Sequence, residues 1–288
     1  MKKIVFITIS FIICTIAHSQ RLSIDIMPGL MNYGGDLQPS SLTFNQACLA
    51  IEGGLQYKLT DNLYIRGDYL AGQVKADDKL SKKSYALQRN LNFKSIILEG
   101  SFSLEYDFFK LRVDKKWTPY VFAGVGYFFF NPYTHDTAGN KFYLQPYGTE
   151  GQGLAQYPDR KFYSLYQFNI PAGFGLKYAL NDKVSIGFEV GFRKLFTDYL
   201  DDVSTTYPNA DALNAARGPI AVELSFRGGE VNPNAAYREG NPRGNPGSKD
   251  EYYTGLFRLT YTLGGNRGGG EGFSSFDRKS LRCPKPVL

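Results

Sequence analysis

The chain has 288 residues and a formal net charge of +6, and it contains 21 Tyr, 22 Phe and 31 Gly. A charge of this size does not predict nucleic-acid binding, and beyond the amino terminus no run of about 18 apolar residues predicts a membrane helix. The abundance of Tyr, Phe and Gly is typical of proteins that cross a membrane with β-strands.

The amino terminus has the pattern of a secretory signal peptide. Two lysines precede the apolar run 4–16, and Ala17-His18-Ser19 then supplies a small-x-small cleavage site. We therefore predict a signal peptide over residues 1–19. Such a peptide directs the remaining chain out of the cytoplasm.

Eight segments after this peptide alternate apolar and polar residues with a period of two. The fourth is the clearest, because Leu98 and Phe102 alternate with Glu99 and Glu105. Eight apolar rows are too many for a soluble sheet to bury, so we expect lipid to cover them. The sequence predicts an all-β fold, an eight-stranded antiparallel transmembrane β-barrel over residues 20–263 in the outer membrane. The predicted strands are 21–32, 47–59, 63–73, 95–108, 119–130, 165–180, 183–196 and 252–263.

The connections between the predicted strands fall into a short and a long group. The short turns are expected on the periplasmic side with both termini, and the long loops outside. The longest loop is too rich in Pro and Gly for a simple connector, so we expect it to cover the barrel mouth or to meet a surface partner. Asp201-Asp202 within it could touch a cation, although a loop cap is the favoured interpretation. The short turns are 60–62, 109–117 and 181–182, and the long loops are 33–46, 76–92, 131–163 and 198–251.

The inward positions of the predicted strands carry charges of both signs. Because an eight-stranded barrel is only wide enough for its side chains to fill, these charges are expected to pair and plug the lumen. A proton or ion relay through the lumen is the alternative. The inward charges are Glu52, Glu99, Glu105, Asp107 and Glu189 against Lys58, Arg66, Lys177, Arg193 and Arg258. The predicted lumen ion-pair network consists of Glu52, Arg66, Glu99, Glu189, Arg193 and Arg258.

The count of histidines argues against catalysis. A hydrolase of the Ser-His type needs a histidine as its base, and the chain has only His18, within the predicted signal peptide, and His135, in a predicted loop. No sequence motif for a zinc site, a phosphate loop or a calcium loop is present. We therefore predict a protein that is not an enzyme and that needs no cofactor or metal.

Four segments carry a resemblance to a known family. They are Gly29–Leu37, Thr118–Tyr127, Arg193–Tyr207 and Arg282–Lys285, and together they resemble the PorG family of outer-membrane barrels of Bacteroidota. The resemblance spans nearly the whole chain after the signal peptide. It implies a non-enzymatic component of the type IX secretion system that associates with a periplasmic ring built from the lipoprotein PorK and its partner PorN.

Residues 264–288 form a predicted Gly-rich linker and a short basic tail. Because the last strand runs toward the periplasm, the tail is expected there, where the family resemblance favours docking to a partner over a disordered end. Its predicted partner-binding residues are Phe273, Phe276, Arg282, Cys283 and Pro284.

Cys283 is predicted to form an intermolecular disulfide with the PorK-like lipoprotein that the resemblance implies. The bilayer separates it from Cys48, which is expected at the outer rim and inside the barrel, so an internal disulfide is excluded by distance. A free tail thiol is the alternative. For the whole protein, an independent small structural or ligand-carrying outer-membrane barrel remains the alternative to a secretion role.

Overall fold

The protein is described by a computed structural model over residues 21–38, 44–111 and 115–263. The predicted signal peptide and the tail 264–288 lie outside the described residues. The strands are β1 (Leu22–Gly34), β2 (Cys48–Lys58), β3 (Leu63–Asp77), β4 (Asn92–Asp107), β5 (Trp117–His135), β6 (Lys141–Tyr143), β7 (Tyr166–Ala179), β8 (Val184–Leu195) and β9 (Glu251–Leu263). The α-helices are α1 (Ser84–Arg89), α2 (Ala210–Arg217) and α3 (Pro219–Ser225), and short 3-10 turns span Phe44–Gln46, Asp78–Leu80, Gln145–Tyr147 and Gly228–Glu230.

Eight of these strands close into an antiparallel barrel. Each pairs with the next along the chain, except that β5 pairs with β7 because β6 pairs with the far end of β5. The first and last strands close the ring, and their pairing begins with Leu22 opposite Leu263. The prediction of an eight-stranded antiparallel barrel is therefore confirmed.

The two faces of the barrel wall differ as the alternation predicts. In β4, buried and exposed residues alternate along almost the whole strand. Phe102 is 69% exposed on the outside, whereas Glu99 and Glu105 are fully enclosed. An apolar outer wall of this extent is suited to lipid rather than water, so the barrel spans a membrane. Exposed aromatic residues near the short-turn end form one girdle: Tyr57, Tyr106, Phe108, Trp117, Tyr178 and Tyr261.

Three strands extend at least three residues further than the sequence predicted. β3 continues to Asp77, β4 begins at Asn92 and β5 continues to His135. In these extensions the period of two persists but its polarity is inverted, since Val74 and Phe93 are buried while Lys94 is exposed. A strand that has left the lipid turns its polar side chains to water and its apolar ones inward, so the apolar-outward pattern ends before the strand does.

The long connections gather at one end of the barrel and form a cap, which consists of the described residues 35–38, 44–47, 78–91, 136–165 and 196–250. The three helices and β6 belong to it. In the described ranges, no helix combines the length and the apolar character needed to cross a membrane. The short turns lie at the opposite end.

An apolar layer joins the cap to the barrel interior. Met27, Met31 and Phe128 are fully buried inside the barrel, and Leu200 and Leu224 of the cap belong to the same cluster. The interior therefore has two layers, with this apolar layer toward the cap and charged side chains toward the short turns. The sequence analysis predicted a lumen plugged by paired charges and did not predict the apolar layer. The difference arises because the cap supplies apolar partners that were not visible in the strand pattern.

Candidate functional site

Arg66 lies at the centre of the charged layer. Its Nη1 is 2.8 Å from Glu189 Oε2 and 3.0 Å from Glu105 Oε2, and its Nη2 is 3.3 Å from Glu52 Oε1. Its Nε is 3.2 Å from Asp68 Oδ2. One guanidinium therefore joins carboxylates from four strands across the barrel, a geometry that its planar set of five N–H donors allows.

Arg193 extends the network toward the cap. Its Nη2 is 2.9 Å from Glu52 Oε2 and its Nε is 3.4 Å from Glu99 Oε1. The guanidinium packs over Gly191, where a Cβ atom would lie 2.0 Å from Nη1. Glycine at that position leaves the space that the side chain occupies.

Arg258 and Lys177 extend the network toward the short turns. Arg258 Nη2 is 2.7 Å from Asp25 Oδ2, and its Nη1 is 2.6 Å from Glu105 Oε2. Lys177 contacts Glu105 and lies 2.8 Å from Asp107 Oδ1. We call the complete set the lumen network: Asp25, Glu52, Arg66, Asp68, Glu99, Glu105, Asp107, Lys177, Glu189, Arg193 and Arg258.

The lumen network contains seven carboxyl groups and four cations, all of them buried. Each cation contacts at least two carboxyl groups. Two phenols also bond carboxyl groups of the network: Tyr120 donates to Glu189 Oε2 at 2.7 Å, and Tyr252 donates to Glu99. Cations are therefore the scarcer component, and each one neutralises several groups at once.

The structure brings together all six residues of the predicted lumen ion-pair network. Glu52, Arg66 and Glu189 meet at the centre, while Glu99 joins through Arg193, and Arg258 approaches Glu189 at 3.7 Å. Lys58, in contrast, lies near the short-turn end, where its Nζ is 3.1 Å from Asp61 Oδ1. The predicted partner-binding residues Phe273, Phe276, Arg282, Cys283 and Pro284 lie outside the described residues.

Some members of the lumen network were missed as site residues by the sequence analysis. Asp25 is the main partner of Arg258, although the alternation of β1 is a signal that places it inward. The phenols of Tyr120 and Tyr252 were also missed, because an aromatic residue in a barrel strand is equally typical of the lipid-facing girdle.

A second polar cluster lies in the cap around Arg243. Its Nη1 is 3.1 Å from Glu150 Oε1 and 2.5 Å from the Asp202 carbonyl oxygen. Glu150 also accepts hydrogen bonds from the backbone N–H groups of Ser204 and Thr205, at 2.9 and 3.0 Å. Arg243 and Glu150 thus fix the segment after Asp202. Sequence reasoning missed them because they come from different loops with no periodic pattern.

Asp202 adopts a left-handed backbone conformation with φ +68°, which is uncommon outside glycine. Its carboxylate accepts hydrogen bonds from Thr149 at 2.5 Å and Tyr163 at 2.8 Å. Burial raises the pKa of Asp202 to about 6, against the opposing effect of Arg243. The predicted loop cap at Asp201-Asp202 is thus enclosed rather than solvated.

Tyr33 joins Asp201 and Asp250 at the top of the barrel. Its hydroxyl oxygen is 2.6 Å from Asp201 Oδ2 and 2.9 Å from Asp250 Oδ1. A phenol has one hydrogen and can donate it to only one of the two carboxyl groups. The other carboxyl group must therefore be protonated and donate its hydrogen to the phenol oxygen. Burial, followed by repulsion from neighbouring carboxylates, raises the pKa of both Asp201 and Asp250 well above the usual range.

Neither cluster is arranged as a metal site among the described residues. Within the described ranges, no group of three or more His, Cys, Asp or Glu side chains is arranged to hold a metal ion. His135 ends β5 and makes its ring contact with Tyr133, at 5.7 Å between centroids. Cys48 begins β2 half-buried, and its thiol donates to the Gln46 carbonyl oxygen at 3.7 Å.

Comparison with solved structures finds small membrane barrels at low similarity. Neisserial surface protein A is 10% identical with a TM-score of 0.40, covering 84% of this chain and 97% of its own. Ail of Yersinia pestis is 10% identical with a TM-score of 0.38, covering 84% and 97%. OprG of Pseudomonas aeruginosa is 10% identical with a TM-score of 0.38, covering 84% and 96%. Similarities at this level carry no argument about function.

No protein with a curated description matches the chain in sequence. Residues 2–219 match the model of a family described as "Domain of unknown function (DUF6089)". That match covers the predicted signal peptide, the first seven barrel strands along the chain and the beginning of the longest loop. The chain therefore belongs to the DUF6089 family.

Proposed function

We propose that the protein is a non-enzymatic outer-membrane component of a type IX secretion machinery, which anchors or positions a periplasmic ring of PorK-like and PorN-like subunits. The resemblance of four segments to the PorG family supports the proposal. The observation that carries it is the filled interior. A barrel whose cross-section is occupied by buried ion pairs offers no passage to cargo, so its role in export is to hold another component in place.

Deletion of the gene tests this role through the appearance of secreted cargo in the medium. Deletion is expected to abolish secretion, and the full chain to restore it. A variant that ends at Leu263 is expected to reach the membrane at the same level without restoring secretion, because it lacks the docking tail. Normal secretion from the deletion strain would contradict the proposal and favour an independent small structural or ligand-carrying barrel.

The tail cysteine is proposed to link the barrel covalently to the PorK-like lipoprotein. Non-reducing gels of native outer membranes distinguish this link from the alternative of a free tail thiol. The wild type is expected to show a higher-mass band that reduction removes. Cys283→Ser is expected to abolish that band. Cys48→Ser is the matched control and is expected to retain it, because Cys48 is half-buried at the start of β2. A wild-type sample without the band rejects the link.

The filled lumen is tested separately by planar bilayer recording of the purified barrel. No stable, discrete openings are expected, because the buried Arg66, Arg193 and Arg258 occupy the interior. Regular unitary currents from the folded protein would contradict the anchoring role and support the alternative of an ion relay.

A further inference from the structure

The cap contains a cavity of about 620 Å³ that is open to the outside. It lies between α1 on one side and the segment 232–245 on the other, and its volume falls within the roughly 300–1,000 Å³ of small-molecule sites. It is separate from the lumen network.

Tyr207 lines this cavity. The residue is 6% exposed, and within the described part of the chain its hydroxyl makes no hydrogen bond. Its backbone is fixed, since its N–H donates to the Asn241 carbonyl oxygen at 3.0 Å and its carbonyl oxygen accepts from Gly240 at 3.0 Å. Its ring packs edge-on against Phe226 at 5.6 Å. The hydroxyl oxygen itself is not sealed off, so it opens into the cavity, where water or a ligand can bond it.

The two buried arginines that line the cavity are already paired within the protein. Arg89 donates to Asp78 from Nε at 2.8 Å and from Nη2 at 2.9 Å. Arg243 is paired with Glu150, as described above. Asp36 accepts a hydrogen bond from the Asn245 backbone N–H at 2.8 Å. An anionic ligand would therefore find only the exposed Arg238 without an ion-pair partner among the described residues.

Amide side chains supply the remaining polar groups. Those of Asn234 and Asn241 line the cavity and make no hydrogen bond within the described ranges. Each amide offers both donors and an acceptor, which matches hydroxyl groups that also donate and accept. Tyr85 of α1 also lines the cavity and is 53% exposed, with Lys83 Nζ at 5.7 Å and Arg89 Cζ at 6.0 Å from its ring centroid. The exposed part of the ring can cover an apolar C–H surface.

We propose that this cavity binds a neutral oligosaccharide of a few sugar units. The Tyr207 hydroxyl and the amides of Asn234 and Asn241 bind its hydroxyl groups, and the Tyr85 ring packs against a sugar face. The combination of paired charges, free amides and an exposed aromatic ring selects a neutral polyol over a phosphate or a carboxylate. The proposal does not depend on a role in secretion.

The test is saturation-transfer NMR on the full chain after signal-peptide removal, folded in detergent micelles. The neutral probes are maltotriose, cellotriose and tri-N-acetylglucosamine, and the anionic probe is trigalacturonate. At least one neutral trisaccharide is expected to receive saturation from the protein. Tyr207→Phe removes one hydroxyl and is expected to weaken binding about tenfold, the effect of one hydrogen bond.

Matched variants make the result specific to the cavity. Asn234→Ala is expected to weaken binding, whereas Asn214→Ala, on the exposed face of α2, is expected to leave it unchanged. Gel mobility of unheated samples checks that each variant retains the folded barrel. The proposal is overturned if none of the three neutral probes binds, or if binding survives both cavity substitutions. Binding of trigalacturonate alone, lost in Arg238→Gln, also overturns it by assigning an anionic ligand.

Discussion

The lumen network and the cap both bury carboxyl groups, but they neutralise them in different ways. In the lumen, Arg66 alone contacts four carboxylates, and charge meets charge directly. In the cap, Asp201 and Asp250 share a phenol, and Glu150 accepts from backbone N–H groups as well as from Arg243. The lumen therefore depends on its few cations, whereas the cap depends on hydroxyl groups, backbone and bound protons. Four changes test this difference.

The largest effect is expected from Arg66→Met. The substitution leaves several buried carboxylates without their cation, which costs about 3–5 kcal/mol of barrel stability. Urea titration in lipid vesicles, followed by fluorescence of the single tryptophan, Trp117, measures the loss. Glu52→Gln is the matched control and is expected to cost far less, because carboxyl groups outnumber cations in the lumen. Equal losses in the two variants would show that cations are not the limiting component.

Arg243→Met is expected to open the cap and leave the barrel folded. Glu150 and Asp202 lose their cation, so local stability of the cap falls by about 3–5 kcal/mol. Hydrogen exchange at the Ser204 and Thr205 amides, which bond Glu150, reports this opening. The Trp117 unfolding midpoint is expected to stay close to wild type. Arg238→Met serves as the exposed control, and a collapse of the barrel in Arg243→Met would refute the separation of the two regions.

Raising the pH is expected to loosen the cap. Burial raises the pKa of Asp198 to about 7 and that of Asp202 to about 6, and both carboxyl groups are ordinary acids when the cap is open. Groups with raised folded-state pKa values contribute stability that is complete below about pH 4 and is lost as the pH rises through those values. For Asp202 the loss is roughly 3 kcal/mol.

Limited proteolysis of the segment 198–250 between pH 4 and pH 8 measures this loss. Cleavage is expected to increase with pH up to about 7. Asp198→Asn is expected to flatten the upper part of the profile, because Ser204 and Lys249 then face a neutral amide. A cap that becomes more resistant as the pH rises would contradict the sign of the expected effect.

The smallest effects are expected from removal of single phenol hydroxyls. Tyr163→Phe takes one of the donors of Asp202, and Tyr120→Phe takes one of the donors of Glu189. Glu189 keeps Arg66 at 2.8 Å, whereas the Asp202 carboxylate keeps its guanidinium contact only at 3.5 Å. We expect about 2 kcal/mol for Tyr163→Phe and about 1 kcal/mol for Tyr120→Phe. Hydrogen exchange in the cap and urea titration of the barrel, respectively, give the two values, and a reversed order would count against the comparison.

The lumen was accessible to sequence analysis because a strand imposes a strict period. Once Leu98 and Phe102 faced lipid, Glu99 and Glu105 had to face inward, and closure of the ring brought Glu99 to Arg193 and Glu105 to Arg66. The alternation does not show where along the barrel axis an inward side chain lies. Lys58 has inward parity but lies beside Asp61 at the turn, and a period of two residues cannot distinguish a place at the turn from one in the lumen.

The cap could not be predicted in the same way. Arg243 meets Glu150 across 93 residues of chain, and no periodicity relates two irregular loops. The role of Tyr33 could not be predicted either. Its partner Asp201 lies in the longest loop, and its partner Asp250 lies at the end of that loop, next to β9. The cavity with Tyr207 depends on the same loop packing. Only the length and the Pro and Gly content of this loop indicated a structure of its own.

Tyr33 has a further consequence for the order of assembly. It lies near the end of β1, Asp250 immediately precedes β9, and Asp201 follows β8, so the three groups meet only where the first and last strands are paired. The cap cannot be completed while the ring is open. We therefore expect the barrel wall to form before the cap is complete. A protease-resistant cap in a newly made molecule would then indicate that β1 and β9 have already paired.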